Sequence, residues 1–320
     1  MNATLSLLPV TETAFLYGLL GAGLCATCGI IAAFLHHSFC VELLSKPDRK
    51  NALAHFASPF NMQLLAMCVA VVGTYICAIL QLATTQTFTI QLFMDICVAT
   101  LELNYLRYSW ARAGSIMEAV YPKLARSLKR LVFMAPLIFY AQTVPAALDA
   151  MCATRPDLAH ILETGSVFEQ ALSSVAGITL FVFDVILLTG FTRHIQKLYQ
   201  SMEMGEAART DRFMIIARYG RVSCLVWIVS NFMYIGSLML EQGSFLFWLL
   251  MVGLYVGSTL TVLTLYVMKL ALYKCAGGVG SNVLSAKSLG VVGGSTATRR
   301  KEEVVSVKEL VHGVSQMGPK

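Results

Sequence analysis

Charged side chains are scarce in this sequence. They make up 13% of its 320 residues, whereas 57% of the residues are hydrophobic and the mean hydropathy is +0.67. A soluble domain carries about 25% charged residues, because its surface must face water. The shortage of charge excludes an ordinary soluble protein and indicates that lipid surrounds much of the surface. We therefore predict an integral membrane protein.

Motifs of the common enzyme classes are also missing. The chain contains no His-Glu-x-x-His signature, no Gly-x-Ser-x-Gly turn and no glycine loop of the phosphate-binding type. These motifs position metal ions, nucleophiles or phosphate groups, so the usual sequence signals for catalysis are lacking. We expect that the protein is not an enzyme and that it uses no cofactor or metal.

Cysteine occurs nine times, but its placement argues against a disulfide framework. Most of the thiols lie within apolar segments, where cysteine behaves as a small hydrophobic residue. Cys152 alone falls in a connection that is predicted to lie outside, so no disulfide is expected there. Cys25 and Cys28 have the spacing of a redox motif, but no strand precedes them, and we interpret them as packing residues.

Seven apolar segments can be read along the chain. Each has roughly the 20 residues that a helix needs to cross the hydrocarbon core of a bilayer. We therefore predict an all-α fold, a bundle of seven transmembrane helices over residues 1–274 that contacts the lipid bilayer. The predicted spans are 14–36, 60–83, 87–106, 128–149, 167–191, 215–240 and 245–272.

Basic residues lie almost entirely on one side of this predicted bundle. Of the 24 Lys and Arg residues, 23 fall on the same side when the chain is threaded seven times, and Arg155 is the exception. Because basic connections stay in the cytoplasm, the N-terminus is predicted outside and the C-terminus inside. The net charge of +6 thus reflects orientation, and we expect no nucleic-acid binding. The plasma membrane is the default location, and an internal membrane is the alternative.

Three carboxyl groups lie within the predicted spans: Asp95 and Glu102 in the third and Asp184 in the fifth. An acid at mid-membrane costs about 2.5–3.5 kcal/mol, so these side chains should face the interior of the bundle. Asp95 and Glu102 are seven residues apart and share one helical face. Together with Asp184 and Asn231 they predict a polar centre that binds a ligand, an ion or a proton. A purely structural hydrogen-bond network is the alternative.

The two ends of the chain carry candidate modification sites. Residues 275–320 are rich in Gly, Ser, Thr and Val, which predicts a disordered cytoplasmic tail. Cys275 follows the last span directly and is a candidate for lipidation. Asn2 begins an Asn-Ala-Thr acceptor, so it is a candidate for glycosylation.

The predicted topology resembles that of G-protein-coupled receptors. Leu106-Arg107-Tyr108 ends the third span, where rhodopsin-like receptors carry an acidic-Arg-Tyr triplet. The resemblance implies that Arg107 and Tyr108 couple the bundle to a heterotrimeric G protein. Leu106 replaces the acid, and the Cys-Trp-x-Pro and Asn-Pro-x-x-Tyr motifs are missing, which excludes the rhodopsin-like class itself.

Three functions are compatible with this pattern. The first is a receptor-like protein that senses a small ligand, because the outer loops are too short for a large binding domain, and signals to a cytosolic partner. The second is a transporter or channel for a small solute or ion that uses the buried carboxyl groups. The third is a membrane scaffold or accessory subunit in which those groups are structural.

Overall fold

The computed structural model describes residues 9–43, 58–84, 88–152, 159–201, 207–241 and 243–288. All regular elements within these ranges are helices, which confirms the all-α prediction. The helices are α1 (Val10–His36, followed by a π-helical segment His37–Leu43), α2 (Pro59–Ala83), α3 (Phe88–Val120), α4 (Pro122–Ala141), α5 (Thr143–Cys152), α6 (Ala159–Ser201), α7 (Ala207–Leu238) and α8 (Phe245–Ser288).

Among the described residues, six helical segments are long and apolar enough to cross a membrane. They are Val10–Val41, Pro59–Ala83, Pro122–Met151, Ala171–Gln196, Met214–Leu238 and Phe245–Cys275. Large apolar side chains such as Phe133, Leu137 and Phe232 lie exposed on their outer surfaces. Such surfaces fit lipid and do not fit water. The protein is therefore a multi-pass membrane protein, and its orientation stays a prediction.

The helix α3 is the seventh member of the bundle, although it is too polar to be counted among the six apolar segments. It packs against α2, α4, α5 and α6, and its buried positions include Glu102, Ser109 and Arg112. Neighbouring helices thus cover its polar face, so little of that face has to be solvated by lipid. The bundle has seven members as predicted, counting α4 and α5 as one interrupted helix.

The interruption between α4 and α5 falls at Gln142. Pro145 follows four residues after Ala141 and has no N–H group to bond the carbonyl of that residue. The other proline of this segment, Pro136, lies within the continuous helix α4. The break turns Gln142 inward, where it is 4% exposed and contacts α3.

Two glycines of α8 allow it to approach α7 closely. A Cβ atom added at Gly253 would meet Met233 Sδ at 2.5 Å, and one added at Gly257 would collide with the side chain of Ser230. The Gly-x-x-x-Gly spacing of these two residues therefore serves packing within the bundle.

Several helices extend beyond the predicted spans. The helix α3 reaches Val120, and α8 reaches Ser288, so its helix continues past residue 275, where the tail was predicted to begin. The chain divides into a unit Met1–Tyr273 and a second unit Lys274–Lys320. Asn2 and residues 289–320 lie outside the described residues, and the disorder, lipidation and glycosylation of the ends stay predictions.

Candidate functional site

A cavity of about 120 Å³ lies within the bundle and is lined by side chains of α2, α3, α6, α7 and α8 and by Gln142. We refer to it as the central cavity. Its α3 residues come from the first half of that helix, while Tyr234 lies near the end of α7 and Met251 near the start of α8. The cavity is therefore closer to the end of the bundle where α2 leads to α3.

Two of the predicted carboxyl groups, those of Asp95 and Glu102, line the central cavity from α3. Gln91 Nε2 donates to Asp95 Oδ1 at 3.0 Å, and Gln91 Oε1 accepts from Gln81 of α2 at 2.8 Å. Glu102 is 8% exposed, and its Oε2 accepts from Gln142 Nε2 at 3.2 Å. A side-chain amide thus bonds each carboxyl group at the cavity wall: Gln91 of α3 itself bonds Asp95, and Gln142, between α4 and α5, bonds Glu102.

The part of the lining that α7 contributes carries hydrogen-bond donors. Trp227 and Asn231 are four residues apart on α7, so their side chains lie one above the other. Trp227 Nε1 and Asn231 Nδ2 are buried and have no hydrogen-bond partner among the described residues. None of the described side chains lining the cavity is basic. The cavity thus offers carboxyl oxygens from α3 and, from α7, N–H donors that have no partner among the described residues.

Asp184 lies outside the central cavity, in a second polar cluster. Its side chain is 0% exposed, and its Oδ1 accepts hydrogen bonds from Tyr105 Oη at 2.9 Å and from Cys224 Sγ at 3.5 Å. Asp184 Oδ2 has no partner among the described residues. We call Tyr105, Asp184 and Cys224 the inner cluster. The predicted polar centre is therefore divided between two places, with Asp95, Glu102 and Asn231 in one and Asp184 in the other.

An aromatic stack joins the two places. The rings of Tyr105 and Trp227 lie nearly parallel, with an angle of 18° and 4.9 Å between their centroids. Trp227 lines the central cavity, and Tyr105 donates to Asp184. A shift of the tryptophan ring would therefore press directly on a side chain that holds the buried carboxyl group.

Sequence reasoning missed one residue of this region, Arg112. Its side chain is 5% exposed, its Nη1 donates to Met268 Sδ at 2.9 Å, and its guanidinium group lies 5.5 Å from the centre of the Tyr108 ring. Arg112 Nε and Nη2 have no hydrogen-bond partner within the described ranges. Its spacing of seven residues from Tyr105 could have revealed the shared face, but the predicted span ended at residue 106.

The predicted coupling residues lie on different faces of α3. Arg107 is exposed, whereas Tyr108 is 2% exposed and meets the ring of Phe60 edge to face, with 5.2 Å between the centroids. The arginine that points into the bundle is thus Arg112, and Arg107 stays accessible from outside it.

Comparison with known proteins adds no assignment to this geometry. No protein-family model and no curated protein matches the sequence. Within the described part of the chain, no three His, Cys, Asp or Glu side chains converge in a way that could hold a metal ion. The described side chains that line the central cavity include carboxyl, amide, hydroxyl and indole groups.

Proposed function

We propose that the chain is a receptor-like membrane protein that binds a small ligand in the central cavity and signals to a cytosolic partner. The observation that carries this proposal is the stack of Trp227 on Tyr105. One of these residues borders the cavity, and the other holds the buried carboxyl group of Asp184. A ligand that shifts Trp227 would change the inner cluster without touching it.

The size of the cavity limits the ligand. An engineered cavity of about 150 Å³ in another protein takes up one benzene molecule, so about 120 Å³ accommodates roughly five or six non-hydrogen atoms. By the distribution of basic residues, the α2–α3 connection faces outside. The cavity would then lie in the outer half of the bundle, within reach of a ligand that arrives from outside.

Signalling requires that the bundle has two arrangements and that the ligand binds one of them better. In our proposal the ligand displaces Trp227, the ring of Tyr105 follows, and its hydroxyl group leaves Asp184. The inner ends of α3 and α6 would then move apart. Arg107 is exposed and available to a partner, and the resemblance to G-protein-coupled receptors makes a heterotrimeric G protein the first candidate.

The proposal is tested with the full chain in lipid nanodiscs together with candidate G-protein subunits. Compounds of up to six non-hydrogen atoms are screened for ligand-dependent nucleotide exchange. At least one compound should stimulate exchange in the wild type and fail to do so in Tyr105→Phe, although it binds both proteins. If no compound stimulates exchange with any subunit tested, the proposal is refuted.

A transporter is the second candidate, and the two carboxyl groups facing one cavity support it. Such a pair could bind a cation or a proton during transport. This function predicts cation or proton flux in proteoliposomes that is abolished in Asp95→Asn. Flux that continues unchanged in that variant would remove Asp95 from the transport path.

A further inference from the structure

Two thiols from different helices meet beside the central cavity. The side chains of Cys77 on α2 and Cys97 on α3 face each other, because Cys97 Sγ packs against Gly73, which lies one helical turn before Cys77. Cys77 is 7% exposed and Cys97 is half-buried, and both are reduced. Apolar packing between the two helices does not require cysteine at both positions, because any small side chain could supply it.

The backbone of α2 comes unusually close to this pair. Gly73 lies one turn before Cys77, and a Cβ atom added to it would be 2.5 Å from Cys97 Sγ. A disulfide requires two Cα atoms about 4.4–6.8 Å apart, which packed helices reach only where small residues let them approach. Gly73 lets α2 and α3 approach closely beside Cys97, one helical turn from Cys77.

A groove of about 380 Å³ between α2 and α3 leads to one of these thiols. Its walls are mainly apolar and include Met62, Leu65, Val69 and Ile96, and Cys97 is part of its lining. Met62, Val69 and Ile96 are exposed on the surface of the bundle, and the first two belong to the candidate membrane span Pro59–Ala83. The groove therefore opens toward the acyl chains, and an apolar molecule dissolved in the bilayer can reach the Cys97 sulfur.

We propose that Cys77 and Cys97 form a redox-modification site that an organic hydroperoxide dissolved in the bilayer oxidises to a disulfide. The Cys97 sulfur attacks the outer peroxide oxygen, and the O–O bond breaks. The alkoxide leaves with the thiol proton as an alcohol, and Cys97 becomes a sulfenic acid. The Cys77 sulfur then attacks the Cys97 sulfur, the S–O bond breaks, and hydroxide leaves with the Cys77 proton as water. The hydroperoxide is reduced to an alcohol and water, and the two thiols are oxidised.

The consequence is a covalent link between α2 and α3 close to Asp95, which lies two residues before Cys97. Helices that are joined in this way cannot separate at the link. The site is independent of the proposed receptor function, because it requires neither the inner cluster nor a cytosolic partner.

The test uses the purified full chain in proteoliposomes. The membranes are treated with cumene hydroperoxide, with hydrogen peroxide or with neither. Free thiols are then alkylated, and peptides are mapped without reduction. We expect a cross-linked peptide containing Cys77 and Cys97, loss of alkylation at both residues, and recovery of alkylation after reduction. The reaction should be faster with cumene hydroperoxide, which partitions into the bilayer.

Single variants and the other cysteines supply the controls. Cys77→Ser and Cys97→Ser should each abolish the cross-link, whereas Cys25→Ser, which removes an exposed thiol of α1, should leave it unchanged. If the wild type keeps both thiols alkylatable after treatment, or if Cys97 is oxidised while Cys77 stays free, the disulfide is refuted. An equal rate with hydrogen peroxide would refute the groove as the route. The mapping is done on the wild type, so the result does not depend on how well the variants fold.

Discussion

Replacement of Tyr105 by phenylalanine removes one hydroxyl group from a fully buried contact and leaves the ring in place on Trp227. Tyr105 and Asp184 are both 0% exposed, and the lost hydrogen bond is 2.9 Å long. Asp184 would keep only the weaker thiol contact with Cys224 at 3.5 Å. The variant thus separates the stacking of the aromatic rings from the hydrogen bond to the carboxyl group.

The expected cost follows from the burial of this contact. Interhelical hydrogen bonds in membranes contribute about 0.6 kcal/mol on average and up to about 1.7 kcal/mol. Since the substitution also leaves a buried acceptor short of a partner, we expect a value near the upper end, about 1.5 kcal/mol of unfolding free energy. The measurement is reversible unfolding in mixed micelles by titration with sodium dodecyl sulfate.

Tyr140→Phe is the matched control. Tyr140 of α4 shares a hydrogen bond of 2.8 Å with Thr100 of α3, and its side chain is 37% exposed. The same atom is lost between two helices, but at the surface of the bundle, so we expect a cost below about 0.6 kcal/mol. Equal effects of the two variants would refute the reasoning that burial makes the Tyr105 contact special. In signalling assays, Tyr105→Phe should raise the basal response and abolish the further increase caused by the ligand, because the variant lacks the contact that the ligand is proposed to break.

The remaining predictions concern the cavity, the buried arginine, the packing of α8 and the orientation. Asp95→Asn should weaken binding of an activating compound about tenfold or more, since it removes a charge-assisted contact, and unchanged affinity in nanodiscs would contradict its role. Arg112→Met should leave the unfolding free energy unchanged or raise it, because a buried charge with unpaired donors is removed, while ligand response is lost. Gly257→Leu should destabilise the bundle by at least about 2 kcal/mol, whereas Gly21→Leu, which has open space around it, should be tolerated. Epitopes on the two termini should be protected from protease on opposite sides of the membrane, and protection on the same side would overturn the orientation.

The sequence predicted the helices well because hydropathy reports the solvent of each segment. Lipid surrounds most of the bundle, so the apolar segments stand out wherever a helix faces it. The third helix, α3, is different, since Glu102 and Arg112 lie buried against other helices and make its segment more polar. The distribution of basic residues around it therefore adds support for this seventh span. The helix ends were predicted less well, because α3 and α8 continue into polar segments where hydropathy no longer marks the helix.

The site was only partly predictable, for a geometric reason. Asp95 and Glu102 could be placed together because their spacing along one helix fixes a shared face. The distance between residues on different helices depends on how each helix is rotated, which periodicity does not give for helices that are apolar all round. Of the two predicted residues on other helices, Asn231 lines the cavity and Asp184 does not. The burial of Arg112 was not predicted, because counting basic residues does not show which arginine side chain points into the bundle.

The unpaired atoms of Asp184 and Arg112 suggest how a small ligand could be sufficient for a response. Asp184 Oδ2 and two nitrogen atoms of Arg112 have no hydrogen-bond partner among the residues that the structure describes. A buried polar group left without a partner costs about 1–3 kcal/mol, so an arrangement that satisfies these atoms would recover part of that cost. The two states of a switchable protein differ by only a few kcal/mol. Under the proposed function, a ligand of five or six non-hydrogen atoms then has to supply only the remaining difference. Arg112→Met, which removes the donors, should therefore abolish the response even where ligand binding is intact.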